Sequence, residues 1–404
     1  MAVREVLDPF CSISSQKVSQ DKSQVYFSLN VSAEERAEMC DILGFHSTPS
    51  LGKYLGIPRI PIKHSARTQD FGYIIERVQS RFAGWKSNFL SFAGRLVLTQ
   101  VLTTTISNYA MQCAALSIKI LNSIDRLSRN FLWGYSKSKK KIHLVSWKKI
   151  TKPKREGGLG IQAAREKNIA SLAKLNWNLQ TESSLLWARV LTQKYRSQRR
   201  VANPSNIRGS CSSIWATIRK GEIVFLEGTK WIFGKNSQLS LWFDKWLDRG
   251  PLQSLIARPL NRGEEGMMLK DVVSFSGWNW LNCSFVFLER LMLEMKATHV
   301  SFSAQISNHV TWSSSPSGNF ELKEAYRLAR MEAEGACNNS FDGEWIWRVS
   351  SIPKIKCFFW QCYHKSIHIS SVLAARGMDV LTVCQLCNSG TKTILHVLRD
   401  FQVA

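Results

Sequence analysis

The feature that most constrains the fold lies near the C-terminus, where Cys384 and Cys387 are two residues apart and His396 follows. Two thiolates at this spacing can chelate one ion with little backbone strain, and imidazole is a frequent further ligand of zinc. A structural zinc site needs a fourth ligand, which Asp400, an upstream residue or water would have to supply. The upstream candidates are Cys357, Cys362, His364 and His368. The alternative is a pair of buried thiols beside a surface histidine.

The charge balance narrows the class of partner. The 404 residues include 54 Lys and Arg against 30 Asp and Glu, for a formal net charge of +24. Such an excess favours a polyanionic partner, and nucleic acid is the simplest one. An acidic membrane surface and a solvated basic face without a partner are the alternatives.

The N-terminus and the apolar segments indicate an intracellular protein. Residues 1–12 lack the apolar core of a secretory signal. The longest apolar stretch, Leu96 to Leu116, is interrupted by polar residues, so no transmembrane segment is expected. The ten cysteines follow no disulfide framework, and we expect reduced thiols in the nucleus or cytosol.

The hydrophobic periodicity predicts an α+β fold that is predominantly α. Apolar residues recur at helical spacing between residues 66 and 135, with helices expected at Phe71–Phe82, Arg95–Cys113 and Ile118–Trp133. Two more helices are expected at about 162–181 and 183–196. The middle of the chain is poorly periodic and has strand-like pieces at Thr229–Phe233 and Leu239–Phe243. The last part predicts a strand at Trp312, a turn at Gly318, and helices at Leu322–Glu334 and about 354–365.

A basic loop at residues 136–160 is the candidate nucleic-acid interface. Lysine and arginine side chains neutralise phosphates and release counterions, which gives binding that is independent of sequence. Aromatic neighbours such as Trp133, Tyr135 and Trp147 could stack on bases. The alternative is a solvated loop that is basic by chance. The predicted binding residues are Lys137, Lys139, Lys140, Lys141, Trp147, Lys148, Lys149, Lys152, Lys154 and Arg155.

Several segments in a fixed order resemble the reverse transcriptases of plant LINE-type (non-LTR) retrotransposons. In the first half these are Leu51-Gly-Lys-Tyr-Leu-Gly56, Gly84-Trp-Lys86, Leu90-Ser-Phe-Ala-Gly-Arg95, Phe131-Leu-Trp-Gly134 and Lys152-Pro-Lys-Arg-Glu-Gly-Gly-Leu-Gly160. In the second half they are Trp231-Ile-Phe-Gly234, Leu241-Trp-Phe-Asp-Lys-Trp246, Trp345-Ile-Trp347, Ile352-Pro-Lys-Ile-Lys356, Phe358-Phe-Trp360 and Cys384-Gln-Leu-Cys387. The resemblance covers nearly the whole chain, and the order of its motifs is more specific than any one of them.

The resemblance implies a domain organisation. It comprises a palm-edge and primer-grip remnant at 1–60, a helical thumb-like domain at 61–200 that carries the basic loop, a connector with short strands at 201–310, and a truncated zinc-binding-like α+β domain at 311–404. In the family a cysteine stands at the position of Phe401, so the resemblance implies an incomplete metal site of Cys384, Cys387 and His396. Zinc is the candidate cofactor.

The resemblance also indicates what the chain does not do. Polymerases of this type hold two Mg²⁺ ions with a pair of palm aspartates, and this sequence contains no Asp-Asp pair. We therefore expect no magnesium site, no catalytic residues and no ribonuclease H domain. The expected residual property is non-specific binding of RNA or RNA–DNA hybrid. A protein–protein adaptor and a genomic relic without function are the alternatives, and the sequence does not indicate an oligomeric state.

Overall fold

The described part of the chain comes from a computed structural model. It covers residues 2–28, 30–49, 52–54, 56–58, 68–84, 89–135, 141–195, 212–234, 237–256, 259–261, 263–274, 277–280, 283–285, 287–298, 300, 308–334, 341–388 and 390–400. The chain divides into a first unit, Met1–Ala66, and a second unit, Arg67–Ala404. The four-part division expected from the sequence stays a prediction.

Within its described residues, the first unit has two helices and two small strand pairs. Its elements are α1 (Ala2–Ser14), β1 (Gln24–Val25), α2 (Ala33–Leu43), β2 (His46–Ser47), β3 (Lys53–Tyr54) and β4 (Ile57–Pro58). Strands β1 and β2 pair in parallel, and β3 and β4 are antiparallel. Ser32 and Glu35 form the capping box that starts α2, as their spacing predicts.

The second unit is predominantly helical. Its first helices are α3 (Gly72–Phe82), α4 (Phe92–Thr105), α5 (Asn108–Cys113), α6 (Ile118–Trp133), α7 (Trp147–Ile150), α8 (Ala164–Thr181), α9 (Leu186–Tyr195), α10 (Ser213–Lys220) and α11 (Glu222–Gly228). The long helix expected at Arg95–Cys113 is interrupted. Thr103 and Ser107 hydroxyls donate to carbonyls four residues earlier, a bond that bends helices, and the chain turns between α4 and α5.

The rest of the second unit combines short strands with further helices. Its elements are β5 (Thr229–Ile232), α12 (Leu269–Val272), β6 (Val273–Ser274), β7 (Gly277–Trp278), α13 (Glu289–Ala297), β8 (His309–Trp312), α14 (Leu322–Glu334), α15 (Trp345–Arg348), α16 (Pro353–Tyr363) and α17 (Ser370–Ala374). Strand β5 pairs antiparallel with β8, and β6 with β7. The fold is thus α+β and predominantly α, as predicted.

The prediction of a strand at Leu239–Phe243 is wrong. Ser240 makes one isolated bridge to Met268, and residues 241–243 form a turn. The Asp244 carboxylate accepts the Ser240 backbone N–H at 2.7 Å, and the Trp242 indole donates to the Glu264 carbonyl at 2.7 Å. The local bond to Asp244 offers the backbone an alternative to a ladder, so this apolar run forms a turn instead of a strand.

Helix α8 is the central element of the second unit. It contacts α5, α6, α10, α11 and α14. Ala170 and Ala173 are fully buried against α11, β8 and α14. Gly221, between α10 and α11, lies so close to α8 that an added Cβ would be 2.3 Å from the Leu172 carbonyl carbon. Small residues at these contacts let the helices approach one another closely.

A shared core joins the early helices to the last part of the chain. Leu96 of α4 and Trp133 of α6 pack in one buried cluster with Ile346 of α15 and Trp360 of α16. We call this cluster the shared core. The Phe92 ring stacks on Trp360 with a centroid separation of 6.3 Å. The candidate metal centre follows α17 along the chain.

Candidate metal centre and basic loop

The two cysteines of the candidate metal centre lie on a tight turn. Val383 and Thr391 form an antiparallel bridge, and the Cys384 N–H donates to the Gly390 carbonyl at 2.8 Å. Asn388, directly after the second cysteine, has a left-handed φ of 51° and closes the turn by donating to the Cys384 carbonyl. This backbone geometry places both thiols on the same side.

His396 completes a cluster of three ligands. It begins a π-helical turn, His396–Asp400, and its backbone N–H donates to the Thr393 hydroxyl at 3.1 Å. Its Nε2 atom is 3.3 Å from Cys387 Sγ, and the three ligand atoms all lie within 4.8 Å of one another. The structure therefore brings together the three residues that the sequence predicted as ligands.

The geometry of the cluster fits zinc. Tetrahedral bonds of about 2.3 Å to sulfur and about 2.0 Å to nitrogen require a sulfur–nitrogen separation of about 3.5 Å, close to the 3.3 Å found. Backbone N–H groups of Cys387 and Leu386 that point at the Cys384 sulfur hold the pKa of this thiol below its usual range. A thiol that loses its proton readily is suited to bind zinc. Zinc here would be structural, tying the cysteine turn to the turn of His396.

None of the other described candidates joins the cluster as a fourth ligand. The Asp400 carboxylate pairs with the neighbouring Arg399 at 2.6 Å. Cys357 is buried in the shared core, and the His364 ring lies 2.7 Å from the Gly157 carbonyl. Phe401, at the position where the resemblance implies a cysteine, lies outside the described residues.

The predicted basic loop is described only in part. Lys137, Lys139 and Lys140 lie outside the described residues. In the part that follows, the side chains of Lys141, Lys148, Lys149 and Arg155 are exposed, and Lys152 is half-buried. The exposed charges are therefore available to a polyanion, and binding through them stays a prediction.

The aromatic residues of this region mainly serve packing. Trp133 is 4% exposed and belongs to the shared core, so its proposed role in base stacking is wrong. Trp147 is half-buried against the same core. Tyr135 is 37% exposed and is the ring in this region best placed to meet a base.

The last part of the basic loop is locked to the C-terminal helices. Glu156 accepts two hydrogen bonds from Arg330 of α14, at 2.7 and 2.8 Å. The Gly157 carbonyl accepts one from the Trp360 indole at 2.8 Å and one from the His364 ring at 2.7 Å. Because a carbonyl oxygen can only accept, His364 Nε2 is the donor, and burial lowers the pKa of this ring. We call these contacts the Gly157 lock.

The Gly157 lock changes how part of the basic loop is interpreted. The Lys154 ammonium lies 4.9 Å from the centre of the Trp347 ring, a cation–π contact within the protein. An added Cβ at Gly158 would lie 1.9 Å from the Lys152 carbonyl oxygen, so the Gly pair serves a close backbone approach. Arg330 lies 174 residues from its partner Glu156, so no local sequence pattern indicated this contact.

Comparison with known proteins agrees with this site. Residues 320–404 match the family profile described as zinc-binding in reverse transcriptase, and this range contains all three ligands of the cluster.

No helix in the described part of the chain is long and apolar enough to cross a membrane.

Two relatives come from Arabidopsis thaliana. A putative ribonuclease H protein is 34% identical over 333 residues, which are 82% of this chain and 54% of that protein. An uncharacterized mitochondrial protein is 29% identical over 149 residues, 36% of this chain and 96% of that protein. The chain thus spans about half the length of the first relative. Together the matches support a retrotransposon-derived, reverse-transcriptase-like protein.

Proposed function

We propose that this chain is part of a LINE-type reverse transcriptase that binds RNA or RNA–DNA hybrid without sequence preference and has no polymerase activity of its own. The observation that carries the proposal is the match of residues 320–404 to the zinc-binding region of reverse transcriptases, over a segment that holds a zinc-compatible cluster. The net charge of +24 and the exposed lysines of the basic loop support a nucleic-acid partner.

The basic loop is proposed as the main contact with phosphates. If about four to six of its side chains neutralise phosphates, the logarithm of the affinity should fall with the logarithm of salt concentration at a slope of about −3 to −5. Fluorescence anisotropy with a labelled RNA and with an RNA–DNA hybrid measures this slope. Competitors of different base sequence should differ little, because phosphate contacts do not read sequence.

A charge-reversal variant tests the location. The five substitutions to Glu are at Lys139, Lys140, Lys141, Lys148 and Lys149. A matched control makes the same change in net charge at exposed lysines elsewhere, namely Lys119, Lys220, Lys270, Lys296 and Lys323. The loop variant should lose most of its affinity and its salt dependence, and the control should lose much less. Equal losses in the two variants would show that the loop is not the site.

The lack of polymerase activity has its own test. Since the sequence has no Asp-Asp pair to hold two metal ions, primer extension with Mg²⁺ or Mn²⁺ should stay at the level without protein. Template-dependent extension that copurifies with the chain through successive columns would contradict this part of the proposal.

A second candidate function is that of a protein adaptor. It is favoured by exposed apolar side chains on α15 and just before α16, where Trp345 is 52% and Ile352 60% exposed. Large exposed apolar groups on one face are typical of protein interaction sites. The charge-reversal variant of the basic loop distinguishes the two functions. If nucleic acid is the partner, this variant should abolish RNA binding. If the chain is a protein adaptor, RNA binding should not collapse in this variant.

A further inference from the structure

A cleft lies beside α8 in the second unit. It has a volume of about 260 Å³ and is formed by the end of α5, the middle of α8 and the segment that leads into α14. This volume is slightly below the range of about 300–1,000 Å³ that encloses a drug-sized molecule, so the cleft suits one flat ring system. None of its lining residues belongs to the metal cluster or to the basic loop.

Three carboxamide side chains line the cleft: Gln112 of α5, Asn178 of α8 and Asn319. Gln112 and Asn178 are half-buried and Asn319 is exposed. The structure shows no hydrogen bond from these amide groups to another described residue. Each amide offers both a donor and an acceptor, which are the two kinds of group that the edge of a nucleobase presents.

Aromatic rings form the wall of the cleft. Trp177 and Phe320 both line it, with ring centroids 6.3 Å apart. Trp177 also packs edge-to-face on the buried Trp312 at 6.4 Å, which fixes its orientation, while its own ring is only half-buried. A fixed aromatic ring that borders an open cleft is a platform on which an unstacked base can rest.

The charge of the cleft favours the same ligand. Lys174, one helical turn before Asn178 on α8, lies at the cleft with its side chain exposed, and no described lining residue carries a carboxylate. Residues four apart lie on the same face of a helix, so the ammonium and the amide can reach the phosphate and the base of one nucleotide. A basic peptide would meet no acidic group here.

We infer that this cleft binds one unstacked base of a single-stranded nucleic acid, with Trp177 as the stacking ring, the amides of Asn178 and Asn319 on the base edge and Lys174 on the adjacent phosphate. The inference rests on the proposed function and adds to it a second contact that recognises bases. Phosphate binding by the basic loop and base binding by the cleft are therefore separable by experiment.

The experiment compares a labelled single strand with an abasic strand of the same length, which keeps the phosphates and lacks the bases. Stacking is worth about 1–3 kcal/mol per base, so the full-length protein should bind the base-containing strand at least about fivefold more tightly. The double variant Asn178→Ala with Asn319→Ala should lower this ratio, because the base loses its edge hydrogen bonds and keeps only the stacking on Trp177, and it should leave the affinity for the abasic strand unchanged. Gln79→Ala, an exposed amide on α3, is the matched control and should keep the wild-type ratio.

A crosslinking measurement does not depend on any variant. A strand that contains 5-iodouridine, irradiated in complex with the unaltered protein, should give adducts in the peptides of Trp177 or Phe320. A ratio of one in the unaltered protein, a ratio that the double variant leaves unchanged, or adducts confined to other peptides would each overturn the inference. Equal binding of both strands would still leave the proposed function intact, whereas failure to bind either strand would refute both.

Discussion

Asp125 of α6 is a mostly buried carboxylate whose effect on stability can be predicted in sign and size. Its Oδ1 atom accepts the Ala164 N–H at 3.1 Å, at the start of α8. Burial raises its pKa from 3.8 to about 6, and the hydrogen bond from Ala164 only partly opposes this. Between these two pH values the folded protein therefore holds a proton that the unfolded chain has lost. Stability contributed by this group is greatest at low pH and is lost as the pH rises through about 6.

The substitution Asp125→Asn tests this reasoning, because asparagine resembles the protonated acid and keeps the acceptor for Ala164. The pKa difference corresponds to at most about 3 kcal/mol at about 1.4 kcal/mol per unit. Partial exposure of the group reduces the expected gain to about 1–2 kcal/mol at pH 7.5.

Urea unfolding of the variant and the unaltered protein at pH 4 and pH 7.5 measures the effect. The gain should be largest at pH 7.5 and fall to about 0.5 kcal/mol at pH 4, where much of the unfolded chain is also protonated at this position. Asn122, which lies three residues earlier on α6, is exposed and cannot titrate, so Asn122→Ala serves as a control whose effect should not depend on pH. A variant that is less stable at pH 7.5, or whose gain is equal at both values, would refute the argument.

Three further predictions concern the Gly157 lock and the metal centre. Gly158→Ala should lower the midpoint of thermal unfolding steeply or prevent folding, because its Cβ would lie 1.9 Å from the Lys152 carbonyl; a midpoint within a few degrees of the original would contradict this. A double-mutant cycle of Arg330→Met and Glu156→Gln should give a coupling of about 1–3 kcal/mol, since the bidentate pair is mostly buried, and a coupling near zero would show it to be incidental. Phe401→Cys should raise zinc content and protease resistance of the C-terminal segment, unless metal analysis already finds one tightly held zinc in the unaltered chain.

Helices were the most predictable part of the fold. The helix expected at Ile118–Trp133 has those bounds, because its apolar stripe has a 3.6-residue period and Gly134 adopts the left-handed conformation that ends it. The helix at Leu322–Glu334 is equally well predicted. Periodicity failed at Leu239–Phe243, where indole and carboxylate hydrogen bonds hold an apolar run in a turn instead of a strand.

The candidate site was predictable only where its residues are close in sequence. The spacing of Cys384 and Cys387 defines a chelating turn, and His396 is near enough for the same local reasoning. The Gly157 lock was missed because its members are separated by more than 170 residues in the sequence. At such a separation the type of a side chain does not indicate which residue it contacts. The same limit explains why Trp133 looked like a stacking residue and is part of the core.

The shared core has a consequence for how this chain can be shortened. A protein cut before α15 would leave Leu96, Trp133 and their neighbours facing water, and a fragment that begins at residue 320 would expose Trp360 in the same way. The zinc-binding match begins at residue 320, but cutting the polypeptide there would divide the shared core. A frameshift beyond α17 would leave the shared core intact. A frameshift ahead of α16 should destroy the shared core together with the metal centre.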